Sequence, residues 1–238
     1  MVKYGSDIDV SNLVFMYATF ISIVMAIFVS LFLGVEYSDG TIRNKITIGH
    51  SRLNIYLSNL ILVIFSSLYS YLLYSIIIIA LGLPLFSIFS MSISSFLLKL
   101  ILIILIMISE CCIFTFITML ISNKTIIAVV NIMTSFGLMM FSLYCYSSLN
   151  APQYIDVAQI TNQETHEYDI VKELNPKYPT ERKRAIYQVL LDINPSGQTI
   201  QLITGDSKNI QLFPLYSLGI SIVFIYTGLI LFKRKELK

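Results

Sequence analysis

The sequence predicts an all-α polytopic membrane protein with five transmembrane helices and an external helical segment before the last one. Three observations carry this. Of the 238 residues, 56% are hydrophobic and 13% charged, and the mean hydropathy is +0.77, too little charge to keep a domain of this size in water. Several apolar runs exceed ~18 residues, long enough for a helix to cross a ~30 Å hydrocarbon core. The runs are continuously apolar rather than alternating at period two, which disfavours a transmembrane barrel. The net charge of +2 gives no basis for a nucleic-acid partner, so the placement of the charges matters more than their sum.

Residues 1–12 are polar, with Lys3, Asp7 and Asp9, and lack the basic n-region and short apolar core of a cleavable signal peptide. The first span covers about 13–35, a charge-free run that is about 35 Å long as a helix. A polar stretch, 36–52, leads to the second span, about 53–83, which carries Tyr56, Tyr69, Tyr71 and Tyr74. Ser51 is placed to cap that span. Gly82 and Pro84 mark its end, and Ser87, Ser90, Ser92, Ser94 and Ser95 make a weakly polar loop. The third span, about 96–121, and the fourth, about 126–146, flank the turn Ser122-Asn123-Lys124-Thr125. The last span is about 213–232. Cys111, Cys112 and Cys145 all fall inside apolar runs, without metal-ligand spacing, and read as small buried residues. No metal or other cofactor is expected.

Residues 148–212 break the pattern, with eight acidic side chains, six basic ones and four prolines. Thr180 follows Pro179 as a plausible N-cap. Ile186, Val189, Leu190 and Ile193 then recur at helical spacing, and Pro195 with Gly197 is expected to end the helix. Such a helix either packs its stripe on the tops of the spans or forms a lid over a substrate path.

Orientation follows from the basic residues of short loops. With 36–52 inside, the inner segments hold Arg43, Lys45, Arg52, Lys124, Lys233, Arg234, Lys235 and Lys238, against Lys3 and Lys99 outside. The expected topology has the N-terminus out, the C-terminus in and 148–212 external.

Catalytic chemistry is not evident in the sequence. There is no GxxxxGK[ST] loop for nucleotide phosphates, and no HExxH. His50 and His166 both lie in polar loops. The chain is therefore not expected to be an enzyme, and any use of ATP needs another chain. Glu110 is the ionisable residue that stands out, near the middle of the third span. A charge there costs about 2.5–3.5 kcal/mol on insertion scales, so it should face protein or a watery cavity. Asn131 in the fourth span is its candidate partner. The two either line a translocation path or fix helix packing through hydrogen bonds.

The stretch EYSDGTIRNKITIGHSRLNIYLSN, 36–59, resembles the first cytoplasmic loop of ABC transporter type-2 permeases. The similarity lies in Glu36-Tyr37, Gly40-Thr41, Arg43 and Ser51-Arg52. SNKTIIAVV (122–130) is similar to the family's turn between central helices, and NPKYPTERKRAIYQVLLDINPSGQ (175–198) to the external segment of Gram-positive members. The resemblance implies a permease subunit of an ABC exporter in a bacterial cell membrane. Its implied partners are a separate ABC ATPase and a second permease chain. Glu36, Tyr37, Gly40, Thr41, Ile42, Arg43 and Lys45 would couple to the ATPase, with Ile42 and Ile46 in an apolar groove and Arg43 and Lys45 facing acidic residues or headgroups. The exported substrate would be amphiphilic: a peptide, drug or lipid. Family members usually have six spans and a cytoplasmic N-terminus, so a first helix is expected to be missing from this sequence. The alternative is a non-transporting immunity or sensor protein that binds a ligand through 148–212.

Overall fold

Every predicted span is a helix, and α1, α3 and α5 extend past the predicted run at both ends. The structure, a computed structural model, describes residues 9–86, 89–162 and 167–235. Lys3 and Asp7 near the N-terminus, Ser87, His166 and Lys238 lie outside the described residues. In chain order the elements are α1 (Val10–Ser38), α2 (Thr41–Thr47), α3 (Arg52–Phe86), α4 (Ile93–Leu120), α5 (Lys124–Leu149), β1 (Tyr154–Asn162), β2 (Glu167–Leu174), α6 (Glu181–Ile193), α7 (Pro195–Thr204) and α8 (Phe213–Arg234).

Local chemistry sets the helix starts. The Asp9 carboxylate accepts from Ser11 N at 2.9 Å, and Asn123 caps α5 by accepting from Thr125 N at 2.9 Å. Ser51 caps α3 as expected, its Oγ accepting from Asn54 N at 3.1 Å. The expected break at Gly82 and Pro84 is corrected: α3 continues to Phe86 with Pro84 inside it. A proline in the last turn forfeits one hydrogen bond near an end that frays anyway. Gly82 serves a different purpose, since a Cβ there would sit 3.1 Å from Val10 Cγ1, where α3 passes the start of α1.

Five helices, α1, α3, α4, α5 and α8, are long and apolar enough to cross a membrane. The chain is an all-α polytopic membrane protein. α1 and α4 form its centre, with 50% and 61% of their most apolar windows buried against 22% for the other three. On α1 the buried positions Val14, Ala18, Ile21, Met25, Val29 and Leu33 recur at steps of three and four, one core-facing stripe. The outer faces carry bare apolar side chains such as Phe65 on α3, Met133 on α5 and Ile222 on α8. In water such a continuous apolar surface would aggregate, whereas in a bilayer it meets lipid.

The segment between α5 and α8 departs from expectation in three ways. Its first part is an antiparallel hairpin, β1 with β2, pairing Tyr154 with Leu174 and Val157 with Val171. Second, α6 begins at Glu181 as the sequence predicts, but the Ile186, Val189, Leu190, Ile193 stripe faces outward. The face α6 buries instead carries Leu191 and Asp192.

Third, Pro195 does not end the helical region; it starts α7. Asn194 caps α7 by accepting from Ser196 N at 3.1 Å, with Pro195 in the first turn. α7 is buried along most of its length and packs on α1, α4, α5 and α6. Gly197 is required at the α6–α7 corner, because a Cβ there would lie 2.3 Å from Leu191 O. Asp192 is the polar hub: Oδ1 accepts from Gln188 Nε2 (2.8 Å) and Gln201 Nε2 (3.0 Å), and Oδ2 from Asn209 Nδ2 (2.7 Å). Asn194 Nδ2 donates to Leu138 O at 3.0 Å, which pins the corner about 16 Å along α5 from its C-terminal end. α6 and α7 thus form a helical hairpin that dips alongside the spans.

Candidate functional site

The polar stretch after the first span folds as a shelf at one end of the bundle. Gly40 has φ 68, a left-handed conformation that glycine adopts without strain, and it turns the chain from α1 into α2. A seven-residue helix has no stability of its own and must dock. Ile42 does this, with 1% of its surface exposed inside the main core, and Ile46 packs half-buried beside it. This corrects the expectation that Ile42 and Ile46 face a partner; they hold α2 to its own bundle.

Glu36 reinforces the docking. Its Oε1 takes the Lys45 ammonium at 2.6 Å and its Oε2 accepts from Asn59 Nδ2 at 3.2 Å, joining α1, α2 and α3. Lys45 is therefore turned inward rather than toward a partner. Tyr37 OH donates to Met119 O at 2.6 Å, at the end of α4. Lys235 Nζ donates to the same carbonyl at 3.0 Å and lies 4.1 Å from the centre of the Tyr37 ring. Burial pulls the Lys235 ammonium down to a pKa of about 8. Arg52 Nη1 donates to Phe232 O at 2.9 Å and also to Lys235 O, tying the start of α3 to the end of α8.

Four of the seven residues singled out from the sequence, Glu36, Tyr37, Ile42 and Lys45, are therefore anchors. Gly40 and Thr41 form the turn into α2, and Arg43 projects outward. The outward surface also includes Asn44, Thr47 and, most of all, Ile48, which is 79% exposed. Ile48 was missed because it lies just past the helix, where periodicity gives no signal. A cavity of about 450 Å³ opens beside α2, lined by Tyr37, Asp39, Ile42, Arg43, Asn44 and Ser122.

Glu110 and Asn131 are both buried between the spans, but not as a pair. Asn131 Nδ2 donates to Ser30 Oγ at 3.0 Å and Thr118 Oγ1 at 2.8 Å. Glu110 instead lies beside Ser22, and Ser135 Oγ donates to Ser22 Oγ at 3.1 Å. The result is two polar layers across α1, α4 and α5. Asn131 and Ser135 lie one turn apart on α5, so each layer takes one of them. Among the described residues no group of three or more His, Cys, Asp or Glu side chains is placed to hold a metal ion.

No protein-family model, curated protein or solved structure matches the chain.

Proposed function

We propose that the chain is the membrane-spanning permease subunit of an ATP-driven exporter of an amphiphilic substrate. In this reading a separate ATPase docks on the outward face of α2 and a second permease chain completes the pore. The N-terminal end of α1 lies outside the cell and α2 in the cytoplasm. The observation that carries it is the build of α2. It is a short helix fixed to the ends of α1 and α3 by buried and ionic contacts, yet it presents a cation, Arg43, and leads into a bare apolar side chain, Ile48. A rigid mount with an exposed apolar and cationic face suits the transmission of force from a partner.

The test is co-purification of an ATPase with the full chain from native membranes. The variant Arg43→Glu with Ile48→Asp should lose that ATPase and substrate export while keeping wild-type expression. Met133→Leu, on the lipid face, should lose neither. Absence of any ATPase with the wild-type chain would overturn the reading. It would favour the alternative, a non-transporting membrane sensor or immunity protein that binds a ligand through 148–212, which draws its support from the cavities beside α6.

A further inference from the structure

We infer that α6 is an interfacial helix that holds the phosphate of an anionic lipid headgroup between Arg184 and Lys208. The inference does not depend on whether the chain exports anything.

The first support is depth. Leu138 accepts from Asn194 at the foot of α6, well inside the length of α5. From there α6 rises about 15 Å to Arg184, so that Arg184 shares a cavity with Leu149 and Asn150, where α5 ends. The foot of α6 is thus level with lipid tails and Arg184 with headgroups, at the end of the bundle opposite α2.

The second is the exposed stripe. Ile186, Val189, Leu190 and Ile193 are bare on the outward side of α6. Four apolar side chains on one face, below a basic first turn, are the pattern of a helix seated at the headgroup–acyl boundary. α6 packs against α5, which also bares apolar side chains such as Met140 and Phe141, so lipid can meet both.

The third is an unmet charge. The cavity, about 290 Å³, is lined by Arg184, Lys208, Gln188, Asn150, Tyr146 and Asp206, among others. Neither cation has a carboxylate partner among the described residues. Asp206 already accepts from Tyr146 OH at 2.5 Å. Arg184 Nη1 is buried with no acceptor, while the guanidinium rests on the Tyr178 ring, 5.2 Å from its centre. A stacked guanidinium with an unpaired buried nitrogen, in a cavity that Lys208 also lines, suits a phosphate oxygen. On the other flank of α6, a second cavity adds Lys177 and Lys183 with three tyrosines and no carboxylate. Cations outnumber carboxylates in the lining of both cavities, which favours an anion.

The test uses the purified full chain in nanodiscs, with native mass spectrometry and a fluorescent phosphatidylglycerol as probe. The wild type should retain phosphatidylglycerol over phosphatidylcholine. Arg184→Gln with Lys208→Gln should weaken retention about ten-fold, the loss of one or two charge-assisted hydrogen bonds. Arg182→Gln, an exposed neighbour outside both cavities, should change it less than about two-fold. Millimolar inorganic phosphate should not displace the lipid, since the stripe anchors the acyl chains. Equal losses for Arg182→Gln and the double variant would show a diffuse charge effect and overturn the site. So would unchanged retention in the double variant, or displacement by inorganic phosphate alone. Arg184→Lys should recover part of the affinity, which separates lost binding from lost folding.

Discussion

At the scale of single residues, the end of the bundle carrying α2 is held by a few partly buried polar contacts whose removal has a predictable sign. Lys45→Gln leaves the Glu36 carboxylate, 16% exposed, without its cation. With Lys45 about a third exposed and solvent-screened, the cost should be about 1 kcal/mol, read as a lower thermal midpoint in detergent. Lys235 gives a pH signature. Its folded-state pKa of about 8 lies below the ordinary 10.5, so the unfolded chain holds more protons between those values. Stability from this group is therefore full above about 10.5 and is lost as pH falls through about 8. Lys235→Met should flatten that rise in a pH series of thermal midpoints. A series just as steep in the variant would contradict the assignment. Within the spans, Asn131→Leu removes two interhelical donors and should cost about 0.6–1.7 kcal/mol, the range for such bonds in bilayers. Glu110→Gln keeps a hydrogen-bonding neighbour for Ser22 and should stay near wild type, whereas Glu110→Lys should prevent accumulation of the folded chain.

At the scale of elements, the spans were readable because length and continuous apolarity are enough to define them: α1, α3, α5 and α8 contain the expected run, and α4 stops one residue short of it at Leu120. What was not readable depended on tertiary context. Asn194-Pro195 reads equally as the stop of one helix and the cap and first turn of the next. Only the packing of α7 among α1, α4 and α5 decides between them. The stripe on α6 was visible, but its direction was not: helical spacing marks an apolar face, and in a bilayer that face can meet lipid as well as core. The hairpin β1–β2 lies in a polar stretch without clean alternation at period two. Glu110 and Asn131 stood out by composition, yet their partners, Ser22 and the Ser30–Thr118 pair, are small hydroxyl residues that no pattern flags. The corner between α6 and α7 supplies the sharpest element-level prediction. Gly197→Ala places a methyl 2.3 Å from the Leu191 carbonyl, a backbone atom that cannot swing away. It should cost about 3 kcal/mol and appear as a broadened gel-filtration profile. A sharp wild-type profile would show that the corner relaxes.

At the scale of the whole molecule, the two ends of the bundle differ in kind. One end is a tight knot in which α1, α3, α4 and α8 converge on Glu36, Tyr37, Met119 and Arg52, with α2 clamped beneath it. The other carries the dipping α6–α7 hairpin, with a cavity on each flank of α6. The centre is formed by α1 and α4, and α1 touches both ends: its last turn contacts α2, and it packs along α7. In the proposed reading, α1 is the element that would carry a push on α2 to the far side. The measurement that tests this most directly is photo-crosslinking in intact cells from a benzophenone residue at position 48, with position 186 at the opposite end as control. The account predicts a crosslink from 48 to a nucleotide-binding protein and none from 186. No such crosslink at 48, or an equal one at 186, would contradict it.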